Sequence, residues 1–245
     1  MQGSTHLSVI IPAFNEEKRL SKTLEAIDLY LKKQNYAYEI IVVNDGSKDK
    51  TSEITNGLMG NIRNLKLIDN RENRGKGAVV RQGMLGSGGD YRVFTDADNS
   101  TPIDQIEKMW PYFKQGCDVV IGSRDLPESV LAIRQPWFRK LILGGGFKLF
   151  RKMTVGLWEI HDTQCGFKVF TKDSAENIFR KTKIDRFAFD SEVLIIAKKL
   201  GYGIKEVGVT WLNDPESRVK FKSVIKMGFD LIKLRLNLIK GAYDF

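Results

Sequence analysis

The chain has 245 residues, 39 Lys and Arg against 30 Asp and Glu (formal net charge +9), 42% hydrophobic residues and two cysteines. That is ample for a buried core, but no apolar run nears the roughly 18 residues of a membrane span, and residues 1–6 lack a basic-then-apolar leader. Cys117 and Cys165 lie far apart without metal-type spacing, and the basic excess asks for a polyanionic partner: nucleic acid, anionic lipid or a phosphorylated small molecule.

Residues 7–12 read as a buried strand ending at Pro12, and Leu20, Leu24, Ile27 and Leu31 then recur at helical spacing. Residues 39–43 form a strand apolar on both faces, as in covered parallel sheets, and run into Asn44-Asp45-Gly46-Ser47, a turn able to cap a helix from Thr51. Strands follow at 65–69, 91–95 and 119–122, with a basic loop at 71–76 and a helix at 78–85. This alternation predicts an α/β fold with a parallel sheet, whose ligands gather at the carboxyl ends of the strands. Polar clusters stand at four such ends: 12–16, 44–47, 96–100 and 123–124.

Asp96-Ala97-Asp98 follows the strand at 91–95. Alternate strand residues share a side, so the two carboxylates are expected to point the same way just beyond its end. Side by side they repel unless a cation intervenes, which suits a divalent metal carrying a phosphate on its far side. A polar turn whose carboxylates cap a helix near Pro102 is the other reading. Gly75-Lys76-Gly77 lacks the third glycine of a dinucleotide fingerprint and the flanking residues of a P-loop, which sets hydride transfer and P-loop hydrolysis aside.

Past residue 123, residues 137–150 mix large apolar side chains with Arg139, Lys140 and Lys148. Residues 162–168 read as a return to core, 192–200 as a helix, 204–211 as a strand and 223–240 as a closing helix. In that helix Lys226, Asp230, Lys233, Asn237 and Lys240 share a polar face, opposite Ile225, Phe229, Ile232, Leu236 and Ile239. Both basic-plus-apolar segments suit an anionic membrane surface, and ordinary packing on the core stays open for the closing helix.

Ser8 to Glu16, Val42 to Ser47, Asn73 to Gly77 and Asp96-Ala97-Asp98 resemble, in order, the motifs of family-two inverting glycosyltransferases of the GT-A fold. Gly122-Ser123-Arg124, Asp162 to Lys168, Phe189 to Glu192 and Lys226 to Leu231 look like the dolichyl-phosphate glucosyltransferases within it. The resemblance spans residues 7–243. It implies one domain over 1–245: a nucleotide-sugar half at 7–122, an acceptor half at 123–212, and a loop and amphipathic helix at 213–245.

It further implies hexose transfer from a UDP-sugar to a polyprenyl or dolichyl phosphate, by an enzyme peripheral on the cytoplasmic face of a membrane. Pro12, Ala13, Asn15 and Glu16 would line the nucleotide pocket, Asp45 would accept from the uracil N–H, and Lys76 would lie near base or phosphates. Asp96, Ala97 and Asp98 would also bind the donor nucleotide, and Asp96 and Asp98 would hold Mg²⁺ or Mn²⁺, with Asp98 the expected direct ligand. Arg124 and Arg139 would grip the acceptor phosphate, and Ser217-Arg218 would belong to a loop closing over the donor.

Asp162 and Asp190 are the candidates for a catalytic base or orienter; a turn cap for Asp162 and a helix N-cap for Asp190 remain open. The two arginines would equally fit a solvated basic face. The chain departs from the family pattern at Asn99-Ser100, where the glucosyl members read Gly-Ala, and at Leu143, where related mannosyl enzymes carry serine. Transfer to a saccharide or protein acceptor and a non-catalytic nucleotide-sugar sensor stay open. Nucleic acid is not expected as a partner, because the basic residues are scattered and no recognition motif occurs.

Overall fold

The architecture follows from strands that are apolar on both sides. In the computed structural model, which describes residues 5–132, 146–212 and 221–245 (without the side chains of 147 and 221–225), seven strands share one sheet. They are β1 (Leu7–Ala13), β2 (Tyr38–Asp45), β3 (Leu65–Asn70), β4 (Tyr91–Thr95), β5 (Val119–Ser123), β7 (Phe167–Thr171) and β8 (Ile204–Gly208), in the order β3-β2-β1-β4-β7-β5-β8. Two short strands, β6 (Val130–Leu131) and β9 (Thr210–Trp211), pair in parallel beside it.

Successive strand residues face opposite ways and feed two separate cores. Val9, Ile11, Ile40, Val42 and Val93 pack with Leu20, Leu24, Ile27 and Leu31 of α1 (Leu20–Leu31). Ile10, Ile41, Val43 and Phe94 pack on the other side with Val79, Val80 and Met84 of α3 (Lys76–Gly86) and Phe189 of α7 (Phe189–Lys199). The remaining helices are α2 (Thr51–Leu58), α4 (Trp110–Lys114) after a 3₁₀ turn (Ile103–Lys108), α5 (Phe147–Val155), α6 (Lys172–Phe179) and α8 (Phe221–Ile239).

The pairing is parallel except at β7, which runs antiparallel between β4 and β5 and places Lys168 opposite both Phe94 and Ile121. The sequence reads residues 162–168 as core without a strand and predicts no helix at α6. A lysine in the middle of Phe167–Thr171 interrupts the apolar run that signals a buried strand. The strand expected over 204–211 divides at Val209: β8 stays in the sheet, and β9 leaves to meet β6.

The closing helix also differs from its simplest reading. Among its described side chains Met227, Leu231 and Leu234 are buried, while Phe229, Ile232, Leu236 and Ile239 lie exposed in a stripe with steps of three and four residues. The helix therefore carries two apolar faces: one satisfied by the core, the other turned outward. It packs against α5, whose Leu149 and Met153 are exposed too.

Candidate active site

The carboxyl ends of β1 and β2 are tied to each other by small polar side chains. Asn15 takes φ +56°, a left-handed conformation that asparagine tolerates. Its N–H donates to Ser47 Oγ at 2.8 Å, and its Oδ1 accepts the Lys48 N–H at 2.8 Å. The Glu16 N–H donates to Thr51 Oγ1 at 2.8 Å, and Glu16 Oε2 binds Arg19 at 2.6 Å. Ala13 is buried and Pro12 half-buried beside them, so the four expected residues of this loop do come together.

Asp45 is buried, and its oxygens accept the Arg74 N–H (2.6 Å), the Gly75 N–H (3.0 Å) and Asn73 Nδ2 (2.8 Å). Burial outweighs these donors and lifts its pKa above the ordinary carboxylate value. Its visible work is to hold the loop that delivers Lys76 to the start of α3. That service to the protein's own backbone was not anticipated from the sequence.

After Thr95 the chain turns, with Asn99 N–H on the Asp96 carbonyl at 3.3 Å, so strand alternation does not carry through Asp96-Ala97-Asp98. Thr23 Oγ donates to the Ala97 carbonyl at 2.7 Å and pins the turn to α1. Asp96 Oδ1 meets Lys76 Nζ at 2.5 Å; Asp98 Oδ1 accepts the Ser100 N–H at 2.9 Å, and its Oδ2 lies 3.9 Å from Arg19. Burial first, and the charge of Asp96 second, raise the pKa of Asp98. Burial pulls the Lys76 ammonium down, but Asp96, Asp190 and Asp98 outweigh it and hold the group firmly charged. Asn99 has φ +53°, a left-handed conformation that asparagine tolerates and that glycine adopts without steric cost.

Residues 162–168 brace both halves of the site. Asp162, buried, accepts from Arg124 Nε at 2.7 Å, Nη2 at 3.0 Å and the backbone N–H at 3.1 Å. Burial works against ionising Asp162, but the Arg124 charge and its hydrogen bonds win and hold the carboxyl well below the usual range. The guanidinium also lies 5.5 Å over the Trp211 ring. Asp162 therefore orients Arg124, with its carboxylate already engaged; the turn reading holds as well, through the Gln164 N–H at 3.0 Å.

Farther along, a Cβ on Gly166 would stand 1.9 Å from Asp96 Oδ2, so only glycine lets that carboxylate lie against the chain. Cys165 is buried, which pushes its thiol up to about 11 and leaves it an inert packing group. Fully buried Lys168 donates to the Cys165 carbonyl and to Asp190 Oδ1, both at 2.5 Å, and stands 5.2 Å from the Phe94 ring centroid. Asp190 lies in the first turn of α7, whose N-cap is Ala188, so the N-cap reading is not realised. Burial raises its pKa against the pull of Lys168 and Lys76.

Lys168 and Gly166 are the site residues that motif reasoning passed over. The signal for Lys168 was a single cation inside Phe-Lys-Val-Phe. Gly166 carried no local signal, because its reason is a carboxylate 70 positions earlier, at Asp96. Arg139, Ser217, Arg218 and Leu143 lie outside the described residues.

The donor set around Asp96 and Asp98 fits a hard divalent ion. It offers two carboxylates, one of them seated against Gly166 where a Cβ would displace it, and an ammonium on Asp96 that shows the oxygen accepts a cation. Among the described residues no third acidic, imidazole or thiol ligand completes a cage. Such a pair suits Mg²⁺ or Mn²⁺ whose remaining ligands are phosphate oxygens and water.

The model of Glycosyl transferase family 2 matches residues 8–179. A dolichyl-phosphate beta-glucosyltransferase of Trichomonas vaginalis is 38% identical over 98% of this chain and 76% of its own length. The human dolichyl-phosphate beta-glucosyltransferase is 35% identical over 97% and 77%. Among solved structures, mannosyl-3-phosphoglycerate synthase from Rubrobacter xylanophilus aligns with a TM-score of 0.71 at 16% identity, over 98% of this chain and 75% of its own. Glucosyl-3-phosphoglycerate synthase from Mycobacterium tuberculosis, in complex with Mn²⁺, uridine diphosphate and phosphoglyceric acid, aligns with a TM-score of 0.67 at 18% identity, over 96% and 78%. At these identities the solved structures speak for the fold, which is the mostly parallel GT-A architecture.

Proposed function

The chain belongs to glycosyl transferase family 2, and we propose that it transfers a hexose, glucose first among candidates, from a UDP-sugar to a polyprenyl or dolichyl phosphate with inversion. The observation that carries this reading is the brace at 162–168. One end holds Arg124 in bidentate contact with Asp162, and the other backs the Asp96 carboxylate with Gly166. One segment thus supports both the cation this reading assigns to the acceptor phosphate and the Asp96 carboxylate it assigns to the metal.

In this reading Pro12, Ala13, Asn15, Glu16 and Asp45 shape the nucleotide pocket, Lys76 serves the diphosphate, and Asp96 and Asp98 hold Mg²⁺ or Mn²⁺. The bound ion would neutralise charge on the departing diphosphate. Arg124, together with Arg139, positions the acceptor phosphate, one oxygen of which forms the new bond to the anomeric carbon while the bond to the diphosphate oxygen breaks and UDP leaves with the electron pair. A phosphate monoester with its second pKa near ~6 arrives mostly deprotonated, so no general base is required. Asp162 and Asp190, both engaged by cations, act as orienters.

A lipid acceptor also suits the outward stripe of α8. Phe229 and Ile239 are each 68% exposed, and Lys226, Lys233, Arg235 and Lys240 flank them. This basic-flanked apolar stripe suits an anionic membrane, and the neighbouring α5 exposes Leu149 and Met153 as well. No helix among the described residues is long and apolar enough to cross one.

The test is turnover of a panel of nucleotide sugars against one polyprenyl phosphate, with Mn²⁺ or with chelator. Metal-dependent formation of polyprenyl-phosphate glucose is the expected result. Transfer to a soluble saccharide while the lipid phosphate stays inert, or binding without turnover, would overturn the proposal.

A further inference from the structure

The cation on Asp96 belongs to the protein itself. Lys76 stands at the first residue of α3, its position set by the loop that Asp45 grips through Arg74 and Gly75. From there its Nζ reaches Asp96 Oδ1 at 2.5 Å, with the lysine side chain 20% and the aspartate side chain 35% exposed, so the contact is partly sheltered from solvent. Gly166 closes off the side of Asp96 Oδ2. The other charges nearby are already matched: Lys168 with Asp190, and Arg19 shared between Glu16 and Asp98.

We infer that Lys76 is an internal counter-ion that competes with the divalent metal for Asp96, so that metal and nucleotide diphosphate load together. This rests on the reading of Asp96 and Asp98 as the metal carboxylates. Charge balance decides the competition. A bare dication entering a site whose carboxylate is already neutralised must displace an ammonium into its own repulsive field. A dication arriving with a diphosphate brings little net charge, and its phosphate oxygens give the displaced ammonium a new partner. The same lysine thus opposes the metal alone and favours the metal with its donor, which is a coupling free energy between two ligands of one site.

The decisive measurement is binding of Mn²⁺, read from the loss of its free-ion electron paramagnetic resonance signal, with and without UDP, and no acceptor or turnover involved. In the wild type, UDP should tighten Mn²⁺ binding strongly. In Lys76→Met, nucleotide-free Mn²⁺ should bind on the order of ten-fold tighter than in the wild type, and the enhancement by UDP should shrink. Lys76→Arg should keep the wild-type pattern, and Lys76→Gln serves as the neutral variant if the methionine protein melts early. Nucleotide-free Mn²⁺ binding no tighter in either neutral variant would overturn the counter-ion role while leaving the metal site intact. Full retention of Mn²⁺ in Asp96→Asn and Asp98→Asn would instead overturn the metal assignment, and the counter-ion role with it.

Discussion

The Asp96–Asp98 side and the Arg124–Lys168 side of this site are stabilised in opposite ways. At the ends of β1 and β2 the polar groups are satisfied by hydroxyls, amides and backbone N–H groups, with few strong ion pairs. Two carboxylates, Asp96 and Asp98, remain close enough for the first to raise the pKa of the second. At β5 and β7 the charges are cancelled within the protein, Lys168 by Asp190 out of solvent and the part-exposed Arg124 by the buried Asp162. Around Asp96 and Asp98 two carboxylates crowd together, Asp96 matched by Lys76 at 2.5 Å and Asp98 only distantly by Arg19 at 3.9 Å. Around Arg124 and Lys168 each cation is held by a close carboxylate of its own. Similar residues thus have different jobs according to how closely their charge is matched.

Mutating one carboxylate on each side separates the two regimes. Asp98→Ala should lower kcat/KM for sugar transfer by about 10³-fold or more, since it removes the support for leaving-group charge. Its melting temperature should stay level or rise, because like-charge repulsion is relieved. Asp162→Asn should reverse that balance: about 10²-fold loss in transfer, mostly in acceptor KM, and about 2–4 kcal/mol of stability lost in denaturant titration. Equal stability losses in the two variants would erase the contrast.

A smaller effect is expected from Gly166→Ala, whose new methyl must push the Asp96 carboxylate aside. Mn²⁺ affinity in the presence of UDP should fall about ten-fold, with circular dichroism unchanged. Acidification should distinguish the sides as well. Asp98, raised in the folded state, takes up its proton at a pH where ordinary aspartates, at about 3.9, are still ionised. Metal affinity should accordingly start to fall above that range, while the fold gains slightly as repulsion is lost. Asp162 is depressed, so the stability its pair contributes is complete above about 4 and disappears only below it. Melting curves and Mn²⁺ titrations across pH 3–7 check both signs.

The outer face of α8 is tested apart from the chemistry. Phe229→Ser with Ile232→Ser should cut binding to anionic vesicles roughly five-fold, from the apolar area no longer inserted, and leave transfer to a short-chain soluble acceptor unchanged. Unaltered vesicle binding would remove this face from the membrane reading.

Much of this was legible in the chain before any coordinates. Alternating apolar strands and the polar clusters behind them, at 12–16, 44–47, 96–100 and 123–124, place a ligand site at the carboxyl edge of a parallel sheet, and those clusters do stand at strand ends. Both signals are local: a period of two or of 3.6 residues, and a turn where it stops. The antiparallel insertion of β7 and the opposite pairing of β4 and β5 with Lys168 were not legible, because Lys168 looks like a surface residue until two strands close over it. Nor could local spacing say which face of α8 packs inward, since both faces are apolar.

By itself, then, the sequence determined which residues are available and at which strand ends, because hydrophobic periodicity and turn chemistry act over a few neighbouring positions. Tertiary structure decided the partners: Lys76 with Asp96, Arg124 with Asp162, Lys168 with Asp190, and Gly166 against Asp96. Whether a charge is spent or available depends on what lies within about 4 Å of it. For these residues that neighbour is 20 to 70 positions away along the chain.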